Sequence, residues 1–284
     1  GDLLLEVHYS LISPGTELSG YNAANRKSAS YPGYTAVGKV LALGPGRDPA
    51  LLGRTVYVFP VLADTNGCHA THKLLKAGGL AMPLPDGLDP RAACFARMVN
   101  IGLTPYVNAD PKLGGAVFVI GLGLVGNVTA QVGRIRGLRT IAADLSAQRR
   151  QRALDAGVDA VIDPAAQDPV EAVKRLTDGR GADLTVNAAG TAATLVMSLE
   201  ATAPGGEVST LGGARGETTG DLTKLMSLIH TRHITLRGGW EMLLPMTSSP
   251  ASKVVSTEAN LRQAFRWIAS GAVRLDPVWT HTIR

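Results

Sequence analysis

Val117-Phe118-Val119-Ile120-Gly121-Leu122-Gly123-Leu124-Val125-Gly126-Asn127-Val128-Thr129-Ala130-Gln131-Val132 is the stretch from which the rest of the chain can be read. Four apolar residues form a buried-strand run, a GxGxxG pattern follows at once, and the spacing predicts a helix over Asn127 to Arg136. In that context the glycines have separate tasks. Gly121 permits the tight turn, Gly123 lets the backbone approach a pyrophosphate, and Gly126 lets the helix pack closely on the strand. The amides of the first helical turn, where Leu124 and Val125 lie, point at the anion. A second strand, Arg139-Thr140-Ile141-Ala142-Ala143, ends in Asp144, 18 residues beyond Gly126 and followed by Leu145. This spacing suits a carboxylate gripping the adenosine ribose of a dinucleotide. Asp144 repels a 2′-phosphate and favours NAD, whereas Ser146, Arg149 and Arg150 are placed to accommodate that phosphate, which leaves NADP open. A ligand-free turn, or a methyltransferase turn holding a different nucleoside, is the alternative reading.

Downstream, the rhythm of apolar strand, Gly-rich turn and amphipathic helix continues to about Val273, as a doubly wound parallel sheet requires. Asp183-Leu184-Thr185-Val186-Asn187 runs into Ala188-Ala189-Gly190, and Glu207-Val208-Ser209-Thr210-Leu211 runs into Gly212-Gly213. Ligands of such sheets lie at the carboxyl ends of strands, so Ala189, Gly190, Leu211, Gly212 and Gly213 leave room for ribose and nicotinamide; plain turn glycines are the alternative. Gly238, after Ile234-Thr235-Leu236, is placed for backbone contacts near the carboxamide.

Upstream, Leu3 to about Asn108 reads differently: short β runs (Leu3–Tyr9, Ala36–Leu41, Thr55–Phe59) are broken at Ser13-Pro14-Gly15, Tyr31-Pro32-Gly33 and Gly44-Pro45-Gly46. The expected fold class is α/β, a β-rich lobe at 1–107 plus a Rossmann sheet at 108–273, with 274–284 returning to the first lobe. The 284 residues, 45% hydrophobic and 18% charged, are enough for two cores and unlike a disordered chain. The net charge of +5 is scattered, which argues against nucleic acid. No apolar run approaches the roughly 18 residues of a membrane helix, and no signal peptide is evident, so a cytoplasmic protein without a membrane partner is expected. Cys68 and Cys94 are too few for a four-cysteine zinc lobe.

A β-rich lobe followed by this Rossmann unit resembles the medium-chain dehydrogenase/reductase family of alcohol and polyol dehydrogenases. Ala143-Asp144-Leu145-Ser146-Ala147-Gln148-Arg149 and Ala153-Leu154-Asp155-Ala156-Gly157-Val158-Asp159 are similar to its sorbitol-type members. The resemblance covers nearly the whole chain and implies a GroES-like catalytic lobe, a small-molecule substrate and a homodimer. It also implies a trimmed chain, since a first strand before Gly1 and a closing helix and strand after Arg284 are lacking relative to the family.

Zinc-containing members draw ligands from three segments that have counterparts here: Ile12-Ser13-Pro14-Gly15-Thr16-Glu17-Leu18, Pro32-Gly33-Tyr34-Thr35-Ala36-Val37-Gly38 and Asn100-Ile101-Gly102-Leu103-Thr104-Pro105-Tyr106. The family's Cys, His and Cys become Pro14, Tyr34 and Asn100, which cannot make a tight zinc site. The resemblance therefore implies a zinc-free member, with Ser-Pro-Gly-Thr-Glu and Pro-Gly-Tyr similar to the branch of bacteriochlorophyllide hydroxyethyl dehydrogenases and of dehydrogenases found with sugar or cyclitol pathways. Thr16 matches the family position that contacts the substrate oxygen, Ser19 a later relay member, and Thr104 a position against the nicotinamide, or else a helix-entry cap before Pro105.

Tyr34 is an acid–base candidate or ordinary packing, Asn100 a hydrogen-bond donor to the same oxygen, and His69 a third acid–base candidate. The pairs His69/His72 and His230/His233 show no carboxylate or thiolate partner at ligand spacing, Cys68 beside His69 being the least improbable. The resemblance points to hydride transfer between NAD(P) and a secondary alcohol or ketone. An NADPH-dependent quinone or enoyl reductase and a non-catalytic nucleotide-binding paralogue are the alternatives.

Overall fold

A computed structural model of the chain describes residues 1–15, 17–18, 32–61, 64, 67–109, 111–214, 220–249 and 255–283. They fall into two units, Gly1–Arg97 with Met242–Gly271 and Met98–Glu241 with Ala272–Arg284.

The first unit is built on an antiparallel sheet of β1 (Leu3–Ser10), β2 (Ala36–Leu43), β3 (Thr55–Phe59), β4 (His72–Leu75) and β5 (Leu80–Pro83), in the order β4-β1-β2-β3-β5. Alternation sets its core: Leu3 and Leu5 of β1 pack with Val40, Val56, Val58 and Leu75, while Glu6 beside them faces outward. β4 and β5 escape a sequence-based reading because runs of four residues that include His72, Lys73 and Pro83 give no clear period-two signal. Lys73 is buried on β4, and its Nζ donates to Asp64 Oδ1 at 2.8 Å, as a buried ammonium requires.

The second unit holds six parallel strands: β6 (Ala116–Ile120), β7 (Arg139–Ala143), β8 (Ala160–Ile162), β9 (Ala182–Asn187), β10 (Thr202–Thr210) and β11 (Thr235–Gly238). Their order, β11-β10-β9-β6-β7-β8, is doubly wound. The chain leaves central β6 towards β7 on one side and later returns to β9 on the other. That reversal opens the crevice where ligands of such sheets bind. All five residues of β6 are buried because strands flank it and helices cover it. The helix after β6 runs Leu124–Ile135, three residues earlier than the spacing suggests, since Gly123 is its N-cap at φ −62°.

The unit boundaries differ from those expected. Helix Thr257–Ala269 belongs to the first unit, where Phe265 meets Tyr57 edge to face at 5.4 Å. The segment after Ala272 belongs to the second unit rather than returning to the first. There Gln131 clamps the backbone of Arg274, accepting from its amide at 2.7 Å and donating to its carbonyl at 3.0 Å.

Candidate functional site

In the second unit the three glycines of the turn differ in backbone geometry and in the room around them. Gly121 sits at φ +92°, a region that L side chains rarely adopt, and a Cβ there would lie 3.0 Å from the Ala189 amide nitrogen. A Cβ on Gly126 would fall deep inside the Gly121 carbonyl oxygen, so this glycine is what allows the helix to start against the turn. Gly123 is the opposite case: its φ suits any residue and a Cβ would meet nothing within 4 Å. No side chain caps the helix that Gly123 opens, so the amides at Leu124 and Val125 keep the anion-binding polarity of a helix start. An open surface at an uncapped helix N-terminus fits a dinucleotide pyrophosphate.

Asp144, at the end of β7, is buried and works on the turn directly. Its Oδ2 accepts from the Leu122 amide at 2.7 Å and its Oδ1 from the Ser146 amide at 2.8 Å. Arg149 Nη1 is 3.5 Å from Oδ2, with its side chain half exposed. Leu145 is exposed. Arg150 does something the spacing did not suggest, donating to the Asp144 carbonyl at 2.7 Å, the Leu145 carbonyl at 2.9 Å and Asp163 at 2.6 Å. It holds the strand end in place, while Arg149 stays half exposed beside the Asp144 carboxylate.

Asn187 ties the next two strand ends together. Its carbonyl accepts from Leu211 and Gly212, while its Oδ1 accepts from the Gly190 amide at 3.0 Å and from Thr194 Oγ1 at 3.1 Å. Ala188 donates to the Ile120 carbonyl, which links these loops to β6. Gly190, at φ +73°, and Gly212 have no room for a Cβ, because the Gly213 and Ala188 carbonyls lie against them. Gly213 and Gly238 have open space in that direction. The structure therefore brings together the ends of β6, β7, β9 and β10. Asn187 is the residue that sequence reasoning passes over, its signal being a polar residue at the end of an apolar strand.

Thr104 lies inside helix Ala96–Ala109 rather than at a helix entry, its hydroxyl donating to the Asn100 carbonyl at 3.0 Å. Asn100 is fully buried on the same helix.

In the first unit, Tyr34 is packed against a cation. The Arg97 guanidinium stands 4.4 Å from the Tyr34 ring centroid and 4.5 Å from that of Phe59, donates to the Tyr34 carbonyl at 2.7 Å, and contacts Met242 Sδ at 3.2 Å. A charged residue within the apolar run Cys94-Phe95-Ala96-Arg97-Met98-Val99 was the available signal for it. Pro14 is exposed, and Thr16 and Ser19 lie outside the described residues.

His69 has the carboxylate neighbour that sequence spacing did not reveal: Glu17 Oε2 lies 3.3 Å from its Nε2, and Ser10 Oγ lies 2.7 Å from its Nδ1. Glu17 is 52 positions from His69 in the chain, so no local pattern could show the pairing. Cys68 is unsuited to serve as a thiolate beside it, since burial pushes its thiol up to about 11 and keeps it protonated near neutrality. Among the described residues, no three His, Cys, Asp or Glu side chains are grouped as for a metal. None of the described helices is long and apolar enough to cross a membrane.

Comparison with known proteins agrees with this architecture. A family described as "Zinc-binding dehydrogenase" matches residues 125–257. The chain is 26% identical to L-threonine 3-dehydrogenase of Thermococcus kodakarensis over 99% of its own length and 83% of the relative's. It is 30% identical to (R,R)-butanediol dehydrogenase of Neisseria gonorrhoeae over 54% of its length and 50% of the relative's. Among solved structures, the alcohol dehydrogenase of Thermus sp. ATN1 superposes with a TM-score of 0.78 at 23% identity, covering 96% of this chain and 82% of that one. Over nearly its whole length the chain is thus similar to zinc-type alcohol and polyol dehydrogenases, enzymes of the medium-chain dehydrogenase/reductase superfamily.

Proposed function

We propose that this chain transfers hydride between nicotinamide and a secondary alcohol or ketone without a catalytic zinc ion, with NAD preferred to NADP. The observation that carries the reading is the Rossmann turn with open space at Gly123 beside a buried Asp144. Bound there, the dinucleotide would supply the hydride acceptor or donor. Leu124, Val125 and Gly126 would face its pyrophosphate, Asp144 its adenosine ribose, and the Ala189–Gly190 and Leu211–Gly213 loops its nicotinamide half, with Thr104 and Gly238 as further contacts. Titration of the purified protein with NADH tests this directly; no binding at millimolar NADH overturns it.

The donor set does not fit zinc. Proline has no side-chain donor, and the tyrosine that stands in the histidine position packs against a buried guanidinium, whose positive charge repels a second cation. Elemental analysis is expected to find no stoichiometric zinc, and activity should survive chelation. About one tightly held zinc per chain refutes it. Proton handling then falls to protein groups, drawn from Thr16, Tyr34, Asn100 and His69.

Asp144→Ala has two expected effects, because one carboxylate serves the ligand and the turn. The preference for NADH over NADPH, about 1 kcal/mol or more in the native protein, should narrow as the charge facing a 2′-phosphate disappears. The Leu122 and Ser146 amides also lose their acceptor, at a cost of about 1–3 kcal/mol in stability. Paired titrations and thermal melts measure the two effects. An unchanged cofactor ratio would remove Asp144 from selectivity.

Relatives act on L-threonine and on butanediol by their names, so vicinal hydroxyl compounds head the substrate screen. The homodimer is kept in this reading on the exposure of all four residues of β11, an outer strand with one edge open to a second copy.

A further inference from the structure

We infer that Asn187 is a positioning residue of the cofactor site, holding the 188–190 and 211–213 loops together as one platform for the nicotinamide half; this rests on the dinucleotide reading above.

The register of the sheet puts Asn187 at a junction. β9 lies between β6 and β10, and Asn187 stands level with Ile120 on one side and Thr210 on the other. Three strands therefore finish side by side, with Asn187 in the middle. Its carbonyl accepts from the Leu211 and Gly212 amides at 3.0 and 2.8 Å, and the next residue, Ala188, donates to the Ile120 carbonyl at 2.9 Å. The backbone of β9 thus gathers both neighbours.

The side chain gathers what the backbone does not reach. Gly190 turns at φ +73°, beyond the end of the strand, and its amide donates to Asn187 Oδ1 at 3.0 Å. Thr194, in the first turn of helix Ala192–Ala201, donates its hydroxyl to the same oxygen at 3.1 Å. An amide N–H only donates, so the Gly190 contact fixes which way the buried Asn187 carboxamide faces.

The two loops also touch backbone to backbone. A Cβ on Gly190 would fall on the Gly213 carbonyl oxygen, and one on Gly212 would lie 2.6 Å from the Ala188 carbonyl oxygen. The same platform abuts the glycine turn, since a Cβ on Gly121 would lie 3.0 Å from the Ala189 amide nitrogen.

This construction matters because the loops carry little else. Residues 188–190 are Ala-Ala-Gly and residues 211–213 are Leu-Gly-Gly, so no long side chain is present to reach for a ligand. Their recognition depends on where the backbone stands before the ligand arrives. Loops that are ordered in advance spare the complex the entropy of ordering them, and loops that are loose charge it to the part of the ligand they face. Removing the Asn187 carboxamide leaves the Gly190 amide and the Thr194 hydroxyl without this acceptor and unties the platform. The loss should fall on the nicotinamide half of the cofactor. The adenosine half, which faces Asp144 in the same reading, should be spared.

The test titrates NADH and 5′-AMP against the native chain, Asn187→Ala, Asn187→Asp and Thr194→Val. The alanine variant should bind NADH about tenfold or more weakly and AMP within about twofold of native. The nicotinamide emission of its bound NADH should show lower anisotropy, as a loosened platform requires. Aspartate presents an oxygen to the same two donors, so Asn187→Asp should restore NADH affinity to within about threefold. Thr194→Val keeps the Gly190 bond and should weaken NADH about threefold, which keeps the inference testable if the alanine variant does not fold. Equal loss of NADH and AMP, NADH binding by Asn187→Ala within twofold of native, or an aspartate variant as weak as the alanine one overturns the inference and leaves the dinucleotide reading standing. With the alanine variant unfolded, unchanged NADH affinity in Thr194→Val overturns it too. A native protein that binds neither NADH nor AMP overturns that reading, and the inference with it.

Discussion

Gly123→Val is expected to weaken NADH binding by about a hundredfold while leaving the thermal melt of the protein almost unchanged. The asymmetry comes from the site. Gly123 has a φ of −62°, and a Cβ there would meet no heavy atom within 4 Å, so a side chain can start at this position without backbone strain or overlap at its first carbon. The open space it fills is, in the proposed reading, where the pyrophosphate meets the helix start. Overpacking of that contact costs about 3 kcal/mol, roughly a hundredfold in Kd. Calorimetric titration together with a melt decides the matter. Unchanged affinity would mean that the pyrophosphate does not bind at this turn.

Gly126→Ala, three residues on, should behave in the reverse manner. The added carbon would lie inside the Gly121 carbonyl oxygen, and that oxygen belongs to a residue held at φ +92° with its own amide bonded to the Ala143 carbonyl at 2.8 Å. Neither side can yield cheaply, because Gly121 also approaches Ala189. Relief requires the helix to move off the strand, at a cost of about 3 kcal/mol or more and a fall in Tm of roughly 10 °C. NADH binding is lost as a consequence of the distorted turn. A variant with native Tm would show that the helix and strand are less closely joined than the Gly121–Gly126 contact indicates.

The two substitutions also show how unevenly the site could be read in advance. The glycine pattern with a strand before it and a helix after it is a local signal, since turn, strand and helix are each specified by neighbours in sequence, and the strand–turn–helix around Gly121, Gly123 and Gly126 was legible for that reason. Their division of labour was not. That Gly123 borders open space while Gly126 is wedged against a carbonyl depends on where the turn folds back upon itself. Asp144 likewise reads as a ribose ligand from its spacing, yet its bond to the Leu122 amide comes from the packing of β7 beside β6, while its bond to the Ser146 amide closes a local turn. Arg149 and Arg150 are adjacent and chemically identical, and only the fold leaves one half exposed beside Asp144 and turns the other onto strand-end carbonyls.

His69 is the clearest instance of what linear order conceals. As a histidine beside a buried cysteine it had no partner in view, because hydrogen bonds between side chains form wherever strands and turns converge. Here they converge from β1, from residue 17 and from the turn before β4. The placement of the last segments follows the same rule: Gln131 draws residues after Ala272 to the second unit, and no pattern within 274–284 announces it.

By itself the sequence determined the class of fold and the glycine turn between β6 and its helix, because period and glycine spacing act between residues close in the chain. Tertiary structure alone decided which hydroxyl and which carboxylate face the His69 ring, because those contacts join residues 59 and 52 positions apart and exist only once burial has brought their segments together.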